Sequence, residues 1–492
     1  MKRIIFLMLL VSSAHITAQG FKSTHQFENS YYLQNSIFNK PLAKQLGSTP
    51  LNKNTPATLN KTVFGFLPWW EYNLGTHQNL KYDFLTHIAV FSFSADRDGN
   101  LQDPPNWPWI DLINAAIDKN VKVMLTITNF NPDDIHRLMV DIGVRKKLLE
   151  NIRAKLMAYG LNGVIVDFEN IYDSDKEFAI KNFLVKMQET LNPDPTAPVY
   201  EIAFATPAVT YNKWFFPNIL GYVNYLFIMG YDFYGSWSST TGPSSPLAGG
   251  FFNLTKSLNE DYGNVPPGKL ILGVPYYGNY WKTSSNEAYA AVTPYDSMSA
   301  TNNWVKPALR YKEILSSYNE KEKLVDTTSK TSWLRWQDTT WNQIWYDDSV
   351  SLELKYDLAI SKNLKGVGIW ALGYDDGRNE LWNLIEKKFA TVVSVNENPY
   401  DIPVDFKLYQ NYPNPFNPST VISYRLSVIS KVSLKVYDLL GREIAILVNE
   451  YQNAGTYNLK LNTQNYSLPS GVYFYRLQTG EFSQTKKMVL MK

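Results

Sequence analysis

Asp167 and Glu169 end the run Leu161-Asn162-Gly163-Val164-Ile165-Val166-Asp167-Phe168-Glu169, an apolar stretch that stops abruptly at two carboxylates. Side chains of a strand alternate between its faces, so Ile165, Asp167 and Glu169 share one side, with the acids roughly 7 Å apart at the backbone. Two acids in one environment can divide the chemistry of bond hydrolysis. Buried carboxylates at the tip of an apolar strand suit acid chemistry. The same spacing also fits a strand end whose acids are only solvated, so the elements around the run must decide.

Val, Ile and Phe on both faces of the run predict a parallel strand covered by helices. The C-terminal end of such a strand is where barrel enzymes keep their active sites. Seven further strand-like runs accompany it: 63–67, 87–93, 121–127, 201–205, 225–229, 270–274 and 366–370. Helical spacing separates them, most clearly in Leu148, Leu149, Ile152, Leu156 and Met157 ahead of the stop at Gly160. Other helical stretches are expected over 109–119, 177–191, 251–261 and 349–362. Eight strands alternating with helices predict an α/β fold, a (β/α)8 TIM barrel over 61–390. The connection between the seventh and eighth strands is too long for one helix, and an insertion is expected at about 279–338. Asp96-Arg97-Asp98-Gly99 reads as a turn after the second strand rather than a calcium loop.

Charge and composition narrow the chemistry. The 47 basic and 45 acidic side chains leave a net charge of +2, no electrostatic footprint for nucleic acid or an anionic membrane. A neutral substrate is expected. Aromatic residues make up 15% of the sequence, with 14 Trp and 33 Tyr, which suits hydroxylated rings as ligands as well as barrel packing. With no cysteine, thiol catalysis and thiolate metal sites are excluded; with five scattered histidines, no metal and no cofactor are expected. A monomer without a membrane span is expected.

Lys2, Arg3 and the apolar run from Ile4 to Val11 have the layout of a secretory signal peptide, 1–18, with cleavage near Ala18. Residues 19–60 are polar with little apolar periodicity and read as a leader or loosely packed arm. After Lys388 the pattern breaks into a linker at 391–405, and 406–492 reads as a small all-β sandwich, which by pattern alone could be an adhesive or carbohydrate-binding module.

The acidic run resembles the signature strand of glycoside hydrolase family 18, the chitinase family, with an Asp-Gly-x-x-Asp-x-Asp-x-Glu type pattern. Asn162 and Ile165 replace its first and middle Asp, while Asp167 and Glu169 are kept. The resemblance recurs at 64–70, 123–130, Met229-Gly230-Tyr231-Asp232, 273–278 and 368–373. It implies cleavage of N-acetylglucosamine glycans, assisted by the substrate's own acetamido group. Glu169 would be the acid, Asp167 the acceptor of the acetamido N–H, and Tyr231 the donor to its oxygen. Asp232, Met229, Trp370, Trp69 and Tyr276 would bind substrate, with Trp370 under the cleaved sugar and Trp70 and Trp281 as weaker candidates. Chitin or chito-oligosaccharides are the default substrate; peptidoglycan, the N-glycan core and a non-catalytic sugar-binding protein remain open. The tail resembles the C-terminal sorting domain of type IX secretion cargo, through Asn411 to Pro418, Val436 to Glu443, Leu468 to Tyr473 and Lys486 to Leu490. That implies secretion or surface attachment by the type IX machinery.

Overall fold

Helix Ile142–Tyr159 shows how the sequence delivers the acids to their place. The Asp141 side chain accepts hydrogen bonds from the N–H groups of Gly143 and Val144, both at 3.0 Å, and starts the helix. Leu148, Leu149, Ile152 and Leu156 bury one face. Gly160, at φ +61°, ends it in the left-handed conformation that glycine adopts without penalty. The backbone then enters strand Gly163–Phe168, whose six residues are all buried. At its first residue a Cβ would lie 2.2 Å from the carbonyl oxygen of Glu201 on the neighbouring strand, so glycine permits the close approach.

The computed structural model describes residues 23–34, 58–194, 200–293, 308–391 and 406–491, the last range without 412, 429, 453–454, 467 and 481. The proposed signal peptide and most of the linker lie outside the described residues. Eight parallel strands follow in sequence order: β1 (Thr62–Pro68), β2 (His87–Ala95), β3 (Lys122–Asn129), β4 (Gly163–Phe168), β5 (Glu201–Pro207), β6 (Tyr225–Met229), β7 (Leu270–Pro275) and β8 (Gly366–Trp370). Each pairs with the next, and β8 pairs with β1 in parallel register, Val367 opposite Val63, closing the barrel. Every strand overlaps a run expected from the sequence. Phe64, Phe66 and Phe227 pack in the barrel interior, with Phe66 and Phe227 edge to face at 4.9 Å.

Between β7 and β8 lies a five-stranded antiparallel sheet built from Tyr277–Thr283, Leu309–Arg310, Glu322–Asp326, Thr331–Gln337 and Trp341–Tyr346. Trp281, Trp333 and Trp345 form its own small core. Trp281 therefore serves the insertion's packing, and its indole N–H donates to the Gly235 carbonyl.

A second unit begins beyond Val392. It stacks a three-stranded sheet, Lys407–Leu408, Ser419–Leu426 and Gly455–Asn462, and a four-stranded one, Ser430–Tyr437, Glu443–Gln452, Gly471–Thr479 and Phe482–Leu490, around a core that includes Tyr475, Leu434 and Met488. Among the described residues no helix is long and apolar enough to cross a membrane.

Most of the arm at 19–60 lies outside the described residues, but one part of it departs from expectation. Thr24–Gln34 forms a helix, α1, with Thr24, His25, Glu28 and Tyr32 buried, rather than a loosely packed leader. Ser23 caps it, its Oγ accepting from the N–H of Gln26 at 3.1 Å.

Candidate active site

Asp167 stands at the C-terminal end of β4, fully buried, with Glu169 one residue beyond the strand and nearly so. Burial, then the neighbouring charge of Asp167, raises the pKa of Glu169, partly offset by His25 and Ser23. Thr126 and Thr128 of β3 lie opposite Ile165 and Asp167 in register. Ile165 is fully buried where a carboxyl would continue the acidic ladder, and among the described residues Oδ1 of Asp167 and Oγ1 of Thr126 meet no hydrogen-bond partner. Ile165→Asp is expected to retain hydrolysis and shift the pH optimum, because the added carboxyl would share a proton with Asp167; a pH–rate profile unchanged within error would refute this.

Tyr231 and Asp232 follow β6. Tyr231 is buried, and burial holds its hydroxyl in the protonated form well above the usual phenol range. Asp232 adopts φ +64°, which aims its carboxylate at the Tyr277 hydroxyl, a close hydrogen bond. Ser244 completes this corner, accepting from the Asp232 N–H and donating to the Tyr277 hydroxyl. Trp370, the last residue of β8, lies against Phe91 and Phe66. Trp69 and Trp70 follow β1 on the same rim.

Of the other expected residues, Met229 ends β6 half-buried against the core. Tyr276 is fully buried with its hydroxyl 3.2 Å from that of Tyr356; its neighbour Tyr277 is the tyrosine that reaches Asp232.

Helix α1 seats itself among these groups. His25 stacks on Trp370 with ring centroids 3.7 Å apart and planes 30° apart. Burial opposes a charge on its ring, but the carboxylates of Asp167 and Glu169 outweigh it and push the pKa up to about 10. Nδ1 donates to the Asp167 carboxylate at Oδ2, 3.0 Å away, and lies 3.3 Å from Glu169 Oε1, and Nε2 shares a 2.9 Å hydrogen bond with the Tyr231 hydroxyl. Thr24 binds Asp232 twice, through its N–H at 3.0 Å and its hydroxyl at 2.7 Å. Glu28 accepts from the Trp370 indole at 3.1 Å and the Tyr374 hydroxyl at 2.8 Å, and burial pushes its pKa up to about 7. Asn29 accepts from the Trp69 indole at 2.9 Å, and Tyr32 stacks on Trp70 at 4.7 Å.

His25, Asp167 and Glu169 form the one trio among the described residues whose ligand-type atoms all lie within 4.8 Å of one another.

Sequence reading missed His25, Thr24 and Glu28. The available signal was spacing: 25, 28, 29 and 32 fall on one helical face, yet they are polar or amphipathic, so hydrophobic periodicity passes over them. Beside α1 a groove of about 400 Å³ remains, lined by Gln26, Asn29, Ser94, Asn129 and Phe130 among others.

A family model for glycosyl hydrolases family 18 matches residues 62–375, the whole barrel with the acidic strand at its centre. The chain belongs to glycosyl hydrolase family 18. It is a chitinase-like glycoside hydrolase. Residues 410–491 match the secretion system C-terminal sorting domain, which directs the family 18 enzyme to secretion or the cell surface. Over 326 residues it is 24% identical to a cortical fragment-lytic enzyme of Bacillus subtilis (strain 168), spanning 63% of this chain and 69% of that protein. The fold matches a family 18 chitinase from Cycas revoluta solved with (GlcNAc)3, at TM-score 0.58 and 19% identity over 66% of this chain and 99% of that one. It also matches the spore cortex-lytic enzyme SleL of Bacillus cereus, at TM-score 0.52 and 22% identity, covering 69% of this chain and 76% of that one.

Proposed function

We propose that this enzyme hydrolyses β-linked N-acetylglucosamine glycans with retention of configuration, using the substrate's acetamido group as nucleophile. The observation that supports this most is the cluster of Asp167, Glu169, Tyr231 and Trp370 around one ring-sized space, now filled by His25. Trp370 is the floor on which the sugar stacks. Glu169 protonates the glycosidic oxygen as the C1–O bond breaks, and the acetamido oxygen closes on C1. Asp167 accepts the acetamido N–H and stabilises the positive oxazolinium ring, while Tyr231 donates to the ring oxygen. Glu169 then takes a proton from water as it attacks C1 and reopens the ring. Two inversions at C1 give retention.

Chito-oligosaccharides are the substrate we propose first, since the reacting sugar is their only unit. Peptidoglycan is the second reading, favoured by relatives over the same barrel that are named cortical fragment-lytic enzymes. Both share the same cleaved residue, so the rim loops decide between them. The test is mass spectrometry of products from N-acetylchitotetraose and from purified peptidoglycan, with NMR of the first-formed anomer. Fragments ending in β-N-acetylglucosamine are expected from one substrate. An α-anomer formed first would overturn the mechanism, and binding of a glycan without cleavage would move the protein to the sugar-binding class.

A further inference from the structure

Every polar group assigned to the reacting sugar is already engaged by the protein itself. His25 offers a flat, five-membered ring to the same three partners that an oxazolinium ring would meet: Trp370 beneath, Asp167 at one nitrogen and the Tyr231 hydroxyl 2.9 Å from the other. Thr24 holds Asp232, Glu28 takes the indole N–H of Trp370, and Asn29 takes that of Trp69. Ser23 hydrogen-bonds Glu169. The N-terminal end of α1, where the helix dipole is positive, faces this acidic cluster. A surface helix that merely packed on the barrel would present apolar side chains; this one presents a matched set of polar ones to the catalytic groups.

We propose that α1 is a built-in competitor of the glycan, with His25 as a mimic of the oxazolinium intermediate, and that the enzyme is closed until α1 leaves the cleft. This rests on the hydrolase reading above, and it adds a regulation of that site. The expected signal peptide ends near Ala18, so its removal leaves α1 in place. Opening therefore requires a separate event, either displacement by glycan or a second proteolytic cut after Gln34.

The test uses the full-length protein and two variants, His25→Ala and the double Thr24→Ala/Glu28→Gln, with a fluorogenic N,N′-diacetylchitobioside and N-acetylchitotetraose as probes. Losing charge-assisted hydrogen bonds of this kind should lower KM by about tenfold or more with kcat little changed. Hydrogen exchange in residues 24–34 should rise when tetraose is added to the unmodified protein. Unchanged KM in both variants, or tetraose binding without faster exchange in α1, overturns the proposal. If neither the unmodified protein nor its variants hydrolyse either probe, the hydrolase reading fails separately, and calorimetry decides the plug. Tetraose bound tenfold tighter by the His25→Ala variant upholds it; equal binding, or none to either protein, removes it.

Discussion

Glu169→Gln is expected to lower kcat by ~10²–10⁴-fold with KM changed by a few-fold at most, because Gln keeps the shape of the side chain but has no proton to give the leaving oxygen. The pH dependence follows from the same group. Burial, then the charge of Asp167, raises the Glu169 pKa, so the acid form persists above the ordinary glutamate range. Activity is present while Glu169 holds its proton and falls about tenfold per pH unit once the pH passes its pKa. The Gln variant's residual rate should lack that alkaline limb. Steady-state kinetics on the fluorogenic chitobioside across pH measures both, in the unmodified and His25→Ala backgrounds so that α1 does not mask the chemistry. A Gln variant with a normal rate would place the acid elsewhere.

Asp167→Asn is expected to cost about 10²–10³-fold in kcat, the usual effect of withdrawing one stabilising group from a developing charge. The amide still fits beside Thr128 but carries no negative charge to balance the oxazolinium. It has a second effect of defined sign. The Asp167 charge is one of the causes that raise the Glu169 pKa, so its removal lowers that pKa, and the alkaline limb moves to lower pH. Because Asp167 also accepts the Nδ1–H of His25, the substitution loosens α1, so the comparison is made within the His25→Ala background. A limb that stays in place while kcat falls would separate charge stabilisation from acid tuning.

The strands were legible because the barrel buries both faces of each: Val164, Ile165 and Val166, or Leu226, Phe227 and Ile228, form runs that need no alternation. The acids were legible because they interrupt such a run. The tail strands Glu443–Gln452 and Phe482–Leu490 carry a weaker signal, since polar residues such as Asn449, Glu450, Gln484 and Lys486 break their apolar runs. The choice between Tyr276 and Tyr277 lay beyond reach of pattern. Strand β7 ends at Pro275, and past that point the backbone no longer obeys simple alternation. Helix α1 was hidden for a deeper reason. Its buried face meets a polar site rather than a core, so His25, Glu28 and Asn29 are complementary to Asp167, Trp370 and Trp69 instead of being apolar, and a single sequence read alone bears no sign of that complement.

Helix α1 and the barrel belong to one polypeptide, and this has a kinetic meaning. A separate inhibitor protein is shed when an enzyme dilutes into its surroundings, but an attached one stays at a fixed local concentration however few molecules are present. Dilution after export therefore leaves the balance between helix and glycan untouched. The quantity that moves it is the local density of the polymer. Dilute fragments would displace the helix seldom, and a surface on which many glycan ends are crowded together would displace it often.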